Sequence, residues 1–66
     1  MVVESMAKEF ARRIQWVDDF NEQLRVRATP PHKVIFPEVK DYYLEGWTPY
    51  QACTKYMERL HIGINQ

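Results

Sequence analysis

The chain predicts an all-α fold, and three observations carry that prediction. Residues 2–27 contain neither glycine nor proline and place apolar side chains at helical spacing. Thr48-Pro49-Tyr50-Gln51 is a helix start of the capping-box type. Gly46 and the prolines at 30, 31 and 37 fall where helices end or begin.

Size sets the frame for these elements. Sixty-six residues and 8.0 kDa make one small domain, residues 1–66, with 45% hydrophobic and 27% charged residues, a globular composition. A chain of this length buries only about 60% of the surface its unfolded form exposes, so its core is thin. Such domains lean on disulfides, a metal or a second chain. Cys53 is the single cysteine, which excludes an intrachain disulfide. No apolar run reaches the roughly 18 residues of a membrane span, and the first residues lack a signal-peptide core, so a soluble, cytoplasmic protein is expected. A formal net charge of +0 and a pI near 6.7 weigh against a strongly basic nucleic-acid binder.

The first helix is predicted over about residues 2–27. Val3, Met6, Phe10, Ile14, Val17, Phe20 and Leu24 recur every three or four residues and form one stripe, with Ala7 and Ala11 at its margin. Arg25 and Arg27 in the last turn complement the helix dipole, and Thr29-Pro30-Pro31 stops the helix. Residues 28–36 form a connector in which Val34-Ile35-Phe36 is expected to lie extended as a hydrophobic strap. A second helix follows over about 37–45, opened by Pro37 at its first position and closed by Gly46. Val39, Tyr42, Tyr43 and Leu44 offer its apolar surface. The third helix spans about 49–62. Cys53, Tyr56, Met57, Leu60 and Ile64 make its buried stripe, with Ala52 beside them, and Gly63 marks its end. Trp47 is the wedge in a tight helix-turn-helix corner.

These lengths do not match. A helix of some 25 residues is roughly 37 Å long. A compact chain of this size has a radius of gyration near 11 Å, hence a diameter of about 28 Å. Two short helices cannot cover the whole stripe. An antiparallel homodimer of first helices is the expected remedy, with Phe10, Ile14, Val17, Phe20 and Leu24 as self-association residues. A chain that is a piece of a longer protein is the other explanation, although it opens on Met1.

No constellation points to catalysis or a cofactor. Glu58 and His61 have Glu-x-x-His spacing, but a helical di-metal site needs a second such pair and two further glutamates. Cys53 stands eight residues from His61, too far for a nucleophile–base contact on one helix, and only His32 in the connector remains as a base. There is no glycine-rich phosphate loop.

The segment Tyr42–Ala52 has the helix, glycine turn and capped helix of a helix-turn-helix corner. Its apolar sites at 41 and 45 are filled by Asp41 and Glu45, and its reading helix brings only Lys55 and Arg59 to a phosphate backbone. Arg25, Arg27, His32 and Lys33 form a modest basic patch around the connector instead. Aromatic residues are 14% of the chain. Trp16, Tyr43, Trp47 and Tyr50 are the candidates for a partner-binding surface, because tryptophan and tyrosine dominate binding hot spots. The sequence therefore predicts a non-catalytic, dimeric adaptor or regulator that binds a protein partner through an aromatic surface. A small dimeric DNA-binding regulator is the alternative.

Overall fold

The computed structural model describes residues 2–30, 32–61 and 63–64, and side chains within 6–28 and 32–61 and at Pro30. The all-α prediction holds, with three helices among the described residues: α1 (Val2–Arg27), α2 (Phe36–Leu44) and α3 (Pro49–Leu60). A two-residue antiparallel pair joins β1 (Ala28–Thr29) to β2 (Gly63–Ile64), with Ala28 opposite Ile64 and Thr29 opposite Gly63.

Helix ends follow the local chemistry. Pro37 is the second rather than the first residue of α2, where its fixed φ suits the first turn and its missing N–H leaves no orphan donor. At the far end Gly46 has φ +84°, Gly46 N–H donates to the Tyr43 carbonyl at 3.1 Å, and Trp47 N–H donates to that of Tyr42 at 3.0 Å. That pair of bonds is a Schellman motif, which explains why glycine stands there. The capping box of α3 is complete: Gln51 N–H donates to Thr48 Oγ1 at 3.2 Å, and Thr48 N–H to Gln51 Oε1 at 3.4 Å.

The end of α3 departs from expectation. His61, not Gly63, takes the left-handed conformation (φ 56°, ψ 37°). The helix stops at Leu60, and Gly63–Ile64 lies extended beside the connector. Ile64 therefore belongs to a strand rather than to the α3 stripe, and Leu60 is half exposed.

The core lies where α1, α3 and α2 meet. Phe20, Leu24, Ala28, Val34, Val39, Tyr42, Ala52, Cys53, Tyr56 and Met57 are buried, with Trp16, Val17 and Trp47 packed at its edge. The strap contributes one buried side chain, Val34, while Ile35 points outward. Asn21 fixes the strap. Its Nδ2–H donates to the Val34 carbonyl at 2.9 Å and its Oδ1 accepts from Val34 N–H at 2.8 Å. Among the described residues no buried side-chain nitrogen or oxygen lacks a partner.

The molecule is a rod with a body at one end. It measures 45 × 18 × 16 Å, with a radius of gyration of 12.9 Å, above the roughly 11 Å of a compact chain of this length. The excess length is α1, whose first two turns, before Glu9, run past the body. Among the described residues no helix is long and apolar enough to cross a membrane.

Candidate interaction surface

The stripe of α1 divides into two parts. Phe20 and Leu24 are fully buried by the chain's own α3 and connector, so neither is free to meet a second molecule. This corrects their place among the self-association residues. Val17 is half-buried against the core. Phe10 is 65% exposed and Ile14 44%, and Met6, one turn before Phe10, is again 65% exposed. Three large apolar side chains at spacings of four thus form an open row on one helix face. Val3, the next expected member, lies outside the described side chains.

The two halves differ because the body leans on another face of the arm. Tyr43 O–H donates to Glu9 Oε1 at 3.1 Å. The Arg13 guanidinium lies over the Phe36 ring, 5.6 Å from its centroid, and also pairs with Glu9 at 3.4 Å. Glu9 and Arg13 therefore hold α2 against the arm. The Met6–Phe10–Ile14 row, displaced around the helix from Glu9, is left uncovered.

Three of the four aromatic candidates turn inward. Trp16 stacks on Phe20 at 5.5 Å, meets Tyr43 edge-on at 5.8 Å, and donates its indole N–H to the Trp47 carbonyl at 2.9 Å. Tyr43 is half-buried, and burial followed by its bond to Glu9 raises its phenol above the usual value. Trp47 meets Tyr42 edge-on at 5.8 Å and donates to Glu45 Oε1 at 3.1 Å. Together they join the corner to α1, and the wedge expected at Trp47 is present. The aromatic surface predicted from sequence thus shrinks to Tyr50, which is 59% exposed.

Tyr50 has its own partner. The Arg27 guanidinium lies 4.2 Å from its ring centroid, donates to its carbonyl at 3.3 Å, and reaches Thr54 Oγ1 at 2.6 Å. Stacking over a tyrosine face suits the planar guanidinium. An open groove of about 330 Å³ beside it is lined by Trp47, Tyr50, Gln51, Thr54, Lys55 and Glu58. Sequence reasoning assigned Arg27 to the helix dipole and missed this joint, because residues 27 and 50 meet only once α3 folds back.

The basic patch separates. Arg25, His32 and Lys33 line one cleft of about 420 Å³ together with Asp18, Asn21 and Glu22. Arg27 faces α3 instead. Within the cleft Arg25 is clamped by Glu22, whose carboxyl that bond holds below its usual range. His32 Nδ1 lies 2.7 Å from the Pro30 carbonyl. The cleft mixes three cationic or titratable groups with two carboxylates and offers no uniform field to an anion. Cys53 is fully buried, and that burial raises its thiol above the usual value, which disfavours the nucleophilic thiolate. Among the described residues no group of three or more His, Cys, Asp or Glu is placed to hold a metal ion.

Two working residues escaped the sequence reading. Met6 was legible as a stripe residue but not as part of the open row, since spacing alone does not say which face the body covers. Asn21 carried a faint signal: it stands seven residues after Ile14 and fourteen after Ala7, a polar residue on an apolar line. Comparison with protein-family models, with curated proteins and with solved structures gives no significant match.

Proposed function

We propose that this protein is a non-catalytic helical interaction module that pairs with a second copy through the open apolar face of the first half of α1. The observation that carries the reading is the row Met6, Phe10 and Ile14, exposed at 65%, 65% and 44% on a helix that outruns its own body. Large apolar side chains in a contiguous row on a small domain favour contact with another protein surface. Burying each contributes up to about 1.5–3 kcal/mol. Pairing leaves Tyr50 and the groove beside it open on each copy, as the place where a protein partner would add.

The corner formed by α2 and α3 has the shape of a helix-turn-helix, but its charges support the DNA alternative poorly. The exposed residues of α3 include Lys55 and Arg59 with Glu58 between them, and those of α2 include Lys40 flanked by Glu38 and Asp41. Phosphate contacts dominate DNA affinity, and this surface supplies few.

Light scattering coupled to size exclusion tests the proposal across a range of concentrations. The expected mass rises toward twice the 8.0 kDa of the chain as concentration increases. Phe10→Asp should hold it at the monomer while leaving the helical circular dichroism intact. A wild-type chain that stays monomeric at millimolar concentration would overturn the reading.

A further inference from the structure

Resting on that reading, we infer that the two copies of α1 lie antiparallel, with Phe10 on the two-fold axis. Met6, Phe10 and Ile14 are evenly spaced, and the central residue is among the most exposed apolar side chains of the molecule. Such a row maps onto itself when a helix is turned end for end about Phe10. Met6 then meets Ile14 of the partner subunit, and Phe10 meets Phe10 of the partner subunit, as a self-complementary patch requires.

The body decides against the parallel arrangement. Two turns beyond Ile14 on the same face, Asn21 is engaged by the strap through both the nitrogen and the oxygen of its side-chain amide, and Leu24 beyond it is fully buried. The open seam therefore ends near Val17. A parallel pair would bring the two straps face to face at that point. An antiparallel pair places the two straps at opposite ends of the seam.

The flanks of the row agree with this register. On one side Ala7 and Ala11 are small and exposed, so the two backbones can approach closely. On the other stand Glu9 and Arg13, already paired with each other and held by α2 on one side, yet with side chains 42% and 45% exposed on the other. About an axis through Phe10, each Arg13 lies within two residues of the level of Glu9 of the partner subunit. Two opposite-charge approaches then outweigh a single approach of the two Glu9 carboxylates. The open row supplies roughly 350 Å² of apolar surface per chain, taking about 200 Å² for each whole side chain. A standard interface takes about 800 Å² per partner, so the flanking residues must contribute and the dimer should dissociate on dilution.

Cysteine cross-linking of the full chain tests the register, with disulfides located by mass spectrometry so that buried Cys53 stays unchanged. Only a residue on the axis meets its own copy within the Cα separation that a disulfide tolerates, so Phe10→Cys should cross-link at least ~10-fold more than Met6→Cys or Ile14→Cys alone. Mixing the Met6→Cys and Ile14→Cys chains should restore the yield as a mixed dimer. Equal self-linking at all three positions would establish the parallel pair and overturn the inference. Absence of cross-links in a chain that still doubles its mass would remove this register while leaving dimerisation standing. A chain monomeric at every concentration would remove both.

Discussion

The two halves of α1 are built from similar apolar residues and meet opposite fates. From Phe20 to Leu24 the stripe is sealed by α3 and the connector, and both residues have no exposed surface. From Met6 to Ile14 the same helix carries side chains as large, left open. The cause is geometric. Helix α2, of nine residues, reaches back along the arm only as far as Glu9, and it leans on the Glu9–Arg13 flank rather than on the apolar row. Hydrophobicity alone therefore does not assign a residue to the core; the reach of the neighbouring elements does.

Truncations in the two halves should break this symmetry most strongly. Phe20→Ala is expected to cost about 3–5 kcal/mol, since it removes a fully buried ring that stacks on Trp16 and meets Tyr56. Phe10→Ala, measured in dilute chain where pairing is absent, should change stability by no more than about 0.5 kcal/mol. Urea denaturation of both variants reads the difference. Similar costs for the two would mean that the arm is covered in the monomer.

Asn21→Ala sharpens the boundary between the halves. It strips both hydrogen bonds from Val34, a residue only 4% exposed, and should cost about 1–3 kcal/mol. Hydrogen exchange at the Val34 amide should speed up at the same time. An unchanged exchange rate would show that the strap is held by something other than Asn21.

A modest effect of the opposite sign is expected at the far end of the body. His61 occupies a left-handed conformation that a side chain disfavours, so His61→Gly should stabilise the fold by roughly 0.5–1 kcal/mol. The thermal midpoint is the readout. A lower midpoint would reveal that the imidazole contributes a contact worth more than the relief of strain.

Much of this architecture can be read locally. The gap in glycine and proline through residues 2–27, the Thr48 capping box and the turn at Gly46 each act within a few residues, so their geometry follows from side-chain chemistry alone. The candidate surface was less legible. Trp16, Tyr43 and Trp47 have the composition of a binding surface, yet they serve as the joint between α1 and the corner. Tyr50 remains outside, and its pairing with Arg27 spans 23 positions of chain. Composition names residues fit for either role and cannot say which of them the fold encloses.

What the amino-acid order determined by itself is the set of helices, their ends within one or two residues at most boundaries, and the excess length of the first. Those properties depend on backbone preference, capping and periodicity, which are short-range. Only the tertiary structure decided that α3 stops at Leu60 so that Gly63–Ile64 can pair with Ala28–Thr29, that Asn21 pins the strap, and that the apolar stripe opens before Val17. Each of these joins residues distant in the chain. Their partners are selected by which surfaces three helices of unequal length can bring together, and helix periodicity carries no record of that choice.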